Sequence, residues 1–280
     1  MKRPIFRQFS STPLTKFLRH DTMYYIEQYK QYNITLSRKE YQDMLVIDHL
    51  EKHYKGTTKG ISDISLHIAK GDIYAFIGHN GAGKTTLLKA ITGIHPYDKG
   101  TVLIDGLDLS KNPEEVKRRI AYVPDNPDIY EFMTGIQYLN FIADVFGVSA
   151  ADRKERIANY ADRFEITTSL GDLISSYSHG MKQKLVLISA LLHAPKLLIM
   201  DEPFVGLDPK AAFLLKDFMK EMTANGCAIF FSTHVLDVAE KLCNKVAIIK
   251  EGRLITSGLM SEVVSDQSSL ESIFMDTVNE

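Results

Sequence analysis

Gly78-His79-Asn80-Gly81-Ala82-Gly83-Lys84-Thr85-Thr86 follows directly on the apolar run Ile73-Tyr74-Ala75-Phe76-Ile77. Gly78, Gly83, Lys84 and Thr85 satisfy the spacing G-x-x-x-x-G-K-[ST], which average composition produces in about one chain of this length in a hundred. Bare glycines let backbone N–H groups close on phosphate oxygens, and the positive end of a following helix adds to the field. Asn80, Gly81 and Thr86 complete the candidate phosphate contacts. Lys84 is placed to reach the β- and γ-phosphates of a nucleotide, and the Thr85 hydroxyl to hold Mg²⁺. A strand that ends in such a loop and reopens as a helix restricts the chain to α/β folds with a parallel sheet.

Strand and helix patterns alternate from Leu45 onward. Leu45 to Leu50, Ile61 to Ile68, Asp72 to Ile77, Thr101 to Ile104, Ile120 to Val123, Leu197 to Asp201 and Ala228 to Ser232 read as strands. Lys84 to Ile94, Met181 to Ala194 and Pro209 to Asn225 read as helices, the last stopped by Gly226. Asn112-Pro113-Glu114-Glu115 is a helix start. Lys245 to Ser257 reads as a hairpin turning at Glu251-Gly252. Between Asp125 and Ser178 the strand signals vanish. Thr134 and Gln137 form a capping box that opens a helix through Phe146, and a second helix spans Ser149 to Phe164. This stretch reads as a helical insertion.

Residues 1–43 stand apart, with eight lysines and arginines against four acids and five tyrosines between Tyr24 and Tyr41. Three readings stay open for them: a mobile or partly helical tail, a basic aromatic arm for a membrane surface or partner, or Met44 as the true start. The rest of the composition is ordinary, with 45% hydrophobic and 24% charged residues and a net charge of -2. No global basic field points to nucleic acid. Cys227 and Cys243 match no metal spacing and read as reduced core thiols. The greasiest segment, Leu185 to Met200, is broken by His193, Pro195 and Lys196, so no membrane span is expected and a cytoplasmic location is.

A second acidic element completes the phosphate chemistry. Leu197 to Met200 runs into Asp201-Glu202-Pro203, delivering two carboxylates to a strand's C-terminal edge. Asp201 is the expected Mg²⁺ partner and Glu202 the group that orients attacking water. Tyr177-Ser178-His179-Gly180-Met181-Lys182-Gln183 lies just upstream, with Ser178 and Gly180 offering a hydroxyl and free N–H groups at a helix start. This segment resembles the signature motif of ABC ATPases, usually written L-S-G-G-Q. Ser178 and Gly180 match, whereas Tyr177, His179 and Met181 do not, and Gln183 is offset.

The resemblance covers roughly Leu45 to Gly258 and implies several further assignments. Gly206-Leu207-Asp208 is then the D-loop, His234 the switch histidine at the γ-phosphate, and Tyr54 the aromatic against adenine. Tyr24, Tyr25 and Tyr74 are weaker candidates for that last role. The family usually has a glutamine where this chain reads Val123-Pro124-Asp125-Asn126. Asp125 can still reach a metal as a hard oxygen ligand, or Asn126 can substitute. The implied fold class is α/β: a P-loop NTPase core with a mostly parallel sheet, a small antiparallel β subdomain and a helical insertion over about 125–178. The ATPase domain is expected over 44–262, with 263–280 as a short C-terminal segment.

The implied function is an ATP-hydrolysing subunit, with ATP and Mg²⁺, that drives a separate transmembrane permease from the inner face of the cell membrane. A head-to-tail homodimer or a heterodimer with a related ATPase is implied, because each ATP lies between one chain's P-loop and the other's Ser178. The segments "YSHGMKQKL" and "PFVGLDP" resemble exporter-type ATPases; import remains an alternative. Asn126 to Thr134 is the expected permease contact. A soluble ATPase of cofactor assembly, with one cassette and no membrane partner, is the rival class.

Overall fold

The structure is a computed structural model that describes residues 43–56, 59–126, 128–264 and 269–279. The three readings of residues 1–43, and the weaker candidates Tyr24 and Tyr25, lie outside these residues but for Asp43. From Asp43 the chain builds two sheets. One is antiparallel, in the order β2-β1-β4-β5, from β1 (Asp43–His53), β2 (Gly60–Ala69), β4 (Lys99–Ile104) and the short β5 (Leu107–Asp108). The other has the order β10-β9-β3-β8-β7-β6, from β3 (Ile73–Ile77), β6 (Ile120–Val123), β7 (Leu197–Asp201), β8 (Ala228–Thr233), β9 (Lys245–Lys250) and β10 (Arg253–Leu259). All its pairings are parallel except β9 with β10.

Strand alternation explains why this sheet reads as continuous apolar runs. Every residue of β3, β7 and β8 is buried, because both faces of a parallel sheet are covered. Tyr74, Phe76, Ile199, Phe230 and Ile249 point into one core, with α1 (Lys84–Ile91) and the antiparallel sheet. Ala75, Ile77, Leu198, Met200, Phe231 and Ile248 point into the other. The second core is roofed by α3 (Gly135–Val145), α4 (Ala150–Arg163), α5 (His179–Leu191) and α6 (Pro209–Ala224). The shorter α2 (Pro113–Arg119) leads into β6.

The α/β class, the antiparallel subdomain and the helical insertion agree with the sequence. Thr134 and Gln137 make the expected reciprocal capping box. Two differences have local causes. The helix expected through Ile94 stops at Ile91, since Thr92 turns its hydroxyl onto the Leu88 carbonyl at 2.9 Å and Gly93 takes a φ of 70°. In addition, α7 (Leu236–Leu242), α8 (Met260–Val263) and α9 (Leu270–Asn279) were not anticipated. The first two are a turn or two long and carry too few residues for a period to register.

Asp105 joins the two sheets. It sits in the β4–β5 turn, where its carboxylate meets Arg119 Nη1 at 2.6 Å, Lys196 Nζ at 2.6 Å and Lys70 Nζ at 3.5 Å. Burial pushes the Asp105 pKa up, but the three cations together outweigh it and hold the carboxyl below the usual range. A depressed carboxylate contributes stability that is present above its unfolded value, near 3.9, and is lost as pH falls through the folded value. Asp105→Asn should therefore lower unfolding stability by about 2 kcal/mol at pH 7. The deficit should shrink below about pH 4. Urea titrations at both pH values check this.

Candidate active site

Three parallel strands deliver the chemistry to one edge. β3 ends at Ile77 and passes into Gly78, β7 ends at Asp201, and β8 ends at Thr233 beside His234. The register pairs Asp201 with Ser232 and Ile77 with Thr233, so the three ends are level. Ligands of open α/β sheets bind at this carboxyl edge. The loop from Gly78 to Gly83 packs without room for a side chain at its first and last residues. A Cβ on Gly78 would lie 2.6 Å from the Ile249 carbonyl, and Gly83 has a φ of 111°. The loop hugs β9 at one end and launches α1 from a left-handed residue at the other.

Lys84, 6% exposed, folds back under the loop. Its ammonium donates to the carbonyls of Gly78 at 2.7 Å and His79 at 3.3 Å, and pairs with Glu202 Oε1 at 3.3 Å. Phosphate oxygens would compete with Glu202 for that ammonium. Thr85 Oγ1 donates to Asp201 Oδ2 at 2.6 Å. Glu202 adopts a φ of 47°, and its Oε2 lies 2.9 Å from His234 Nδ1. The buried Glu202 Oε1 has no hydrogen bond. The carboxylate thus meets His234 through one oxygen and the Lys84 ammonium through the other, which makes no hydrogen bond.

A cavity of about 250 Å³ gathers most of the sequence-predicted residues: Tyr54, Asn80, Gly81, Gly83, Lys84, Thr85, Thr86, Asp125, Asp201 and Glu202 all line it. Gly78 and His234 adjoin it through Lys84 and Glu202. Tyr54 meets the His95 ring edge-on, with its hydroxyl 3.2 Å from Nδ1. Tyr74 is instead buried against Phe230 in the core. Asp125 accepts the backbone N–H of Asn126 at 2.9 Å. Ser178, Gly180 and Asp208 are not among the walls. Ser178 caps α5, and Asp208 caps α6 through the Ala211 N–H at 2.8 Å, a bond that lowers its pKa.

Ser232 is the polar residue that sequence reasoning passed over. It is fully buried, donates to Asp201 Oδ1 and accepts the Glu202 N–H at 3.1 Å. The signal was a serine inside the apolar run Ala228-Ile229-Phe230-Phe231, read only as the end of a strand.

The residues gathered at this edge have the groups that a phosphate-binding site on a P-loop α/β fold requires. The family model described as ABC transporter matches residues 61–205. The chain is 36% identical over 214 residues to the uncharacterized ABC transporter ATP-binding protein YhcH of Bacillus subtilis, covering 76% of this chain and 68% of that one. It is 31% identical over 222 residues to the linearmycin resistance ATP-binding protein LnrL of the same organism, covering 79% and 71%. A solved structure of an ATP-binding subunit of an ABC transporter superposes with a TM-score of 0.79 at 33% identity, covering 84% of this chain and 99% of that one. The chain belongs to the ABC transporter ATP-binding family, and it is an ATP-binding, ATP-hydrolysing subunit.

Ser232→Ala would strip a donor from Asp201 and an acceptor from the Glu202 N–H. ATP turnover should fall roughly tenfold, the equivalent of about 1.4 kcal/mol in the barrier. Steady-state kinetics on folded protein give the measurement.

Proposed function

We propose that this subunit works as one half of a head-to-tail ATPase dimer that drives export through a separate transmembrane permease. The observation that carries the dimer is the separation of Ser178 and Gly180 from the cavity lined by Lys84, Thr85 and Glu202. A signature serine that does not reach its own P-loop site is available to the site of a second chain, whether a copy or a related ATPase. Closing on two nucleotides and reopening after hydrolysis is a population shift driven by differential affinity.

Within the site, Lys84 binds the β- and γ-phosphates and Tyr54 packs on the base. Gly78, Asn80, Gly81, Gly83 and Thr86 line the phosphate cradle. Glu202 orients the attacking water, and His234 both holds Glu202 and meets the γ-phosphate. The donor set fits Mg²⁺: Thr85 Oγ1 and Asp201 Oδ2 are hard oxygens already 2.6 Å apart, with Asp125 on the same cavity. Among the described residues no group of three His, Cys, Asp or Glu side chains could cage a metal. That suits an ion that keeps waters and phosphate oxygens in its shell. Mg²⁺ would neutralise charge developing on the phosphates.

A groove along β6 supports the permease reading. Its volume is about 370 Å³, and Ile129, Tyr138, Ile142, Phe146, Val186 and His193 line it. Burial pushes the His193 pKa down, which favours the neutral ring, and the ring stacks on Phe146. Tyr130 and Phe132, exposed by 48% and 75%, stand in the Asn126 to Thr134 segment beside the groove. Exposed aromatics around an apolar slot suit an amphipathic helix of a partner. No helix among the described residues is long and apolar enough to cross a membrane, so the span would belong to that partner. The subunit would then sit peripherally on the cytoplasmic face. Export is supported by the likeness to LnrL, whose name records linearmycin resistance.

Glu202→Gln should reduce ATP turnover at least a hundredfold while ATP stays bound and the dimer stays closed; size-exclusion chromatography with ATP reads the closure. Normal turnover would remove Glu202 from its role. Lys84→Ala should weaken ATP binding itself, and unchanged affinity would overturn the assignment of the cavity. Phe132→Glu should leave basal ATPase intact. It should also abolish co-purification of a multi-span membrane protein with the tagged Glu202→Gln subunit, identified by mass spectrometry. Recovery of soluble partners alone would instead favour the cofactor-assembly class.

A further inference from the structure

The C-terminal helix reaches the phosphate loop. Phe274 of α9 places its ring 4.8 Å from the ring of His79, tilted by 43°. His79 is exposed, lines the nucleotide cavity, and supplies through its carbonyl one of the two backbone acceptors of the Lys84 ammonium. Phe274 itself is fixed. It is 9% exposed, and Leu270 one turn earlier is fully buried. The Leu270 N–H donates to Glu240 Oε2 at 3.0 Å, which docks the start of α9 onto α7. Helix α7 begins two residues after His234. One helix therefore touches the loop that leads into Lys84 and the helix that follows His234.

We propose that Phe274 is a positioning residue for the phosphate loop: by packing on His79 from a helix anchored to α7, it holds the loop in the conformation that binds the phosphates of ATP. The physical basis is the shape of the loop. Gly81 and Gly83 have positive φ, and no atom lies within 4 Å of the place a Gly81 Cβ would take. A glycine-rich loop has much freedom to lose on ordering. The His79 side chain gives the loop a handle on its solvent side, and an aromatic contact on that handle lowers the ordering cost that ATP would otherwise meet. The contact bears on the loop whose backbone would hold the phosphates and not on Glu202, so it acts on affinity rather than on the chemical step. Losing it should raise KM and leave kcat in place.

This inference rests on the assignment of the cavity to ATP, and Lys84→Ala tests that separately by calorimetric titration of Mg-ATP. The test of Phe274 is a double-mutant cycle on the full chain with the same probe. Phe274→Ala and His79→Ala should each weaken Mg-ATP binding by roughly three- to tenfold, and the double variant should be no weaker than the worse single one. Phe274→Tyr should restore affinity, since it keeps the ring. Phe274→Leu keeps apolar bulk in the core and serves if the alanine variant unfolds; it should still show the loss. Unchanged affinity in Phe274→Leu, or effects that add in the double variant, would overturn the proposal. So would a fall in melting temperature with KM unmoved, which is the signature of a purely structural contact.

Discussion

The buried carboxylate of Asp201 is the point on which the active edge depends. It is 1% exposed at the end of a fully apolar strand, where an unpaired charge would be prohibitive. Thr85 satisfies it from α1 and Ser232 from β8, so one charge ties the P-loop helix to two strand ends. Ser232 then hands the restraint on, because its oxygen also accepts the Glu202 N–H. The left-handed backbone of Glu202, costly for a residue with a side chain, is held by that bond and by the bond from its N–H to the Ser232 carbonyl at 3.2 Å. Backbone register sets the strand ends level, and the Asp201 carboxylate fixes the side chains of Thr85 and Ser232 across them.

What could be read from the chain divides along range. The loop Gly78 to Thr86, the acids Asp201 and Glu202, and the capping box at Thr134 announce themselves because their chemistry lies within a few consecutive residues. The parallel strands were equally plain, since both of their faces are covered and the apolar runs are unbroken. Ser232 was not legible, because its meaning comes from register: only pairing β8 with β7 sets it against Asp201. Asp105 was missed for the same reason. Its three cations come from positions 70, 119 and 196, and no local pattern marks it. The segment after Val263 read as a short tail, for Leu270, Ile273 and Phe274 make a helical face whose purpose appears only against α7.

Lys84 and Glu202 face each other at 3.3 Å, and the pair orders the events of the proposed reaction. An ammonium that is 6% exposed must have a counter-charge, and Glu202 supplies one alongside the Gly78 and His79 carbonyls. Phosphate oxygens carry more negative charge than one carboxylate and would take over the ammonium. The carboxylate would then stay fixed through His234 while its other oxygen, which already has no hydrogen bond, turned to water. Under that proposal the group assigned to orient water would be released only by the ligand whose bond is to be cut. A carboxylate paired with lysine is a poor partner for water, so the ion pair would restrain turnover until the phosphates displaced it. The same logic fits a transport ATPase, in which the hydrolytic step has to wait until both nucleotide and partner chain are in place.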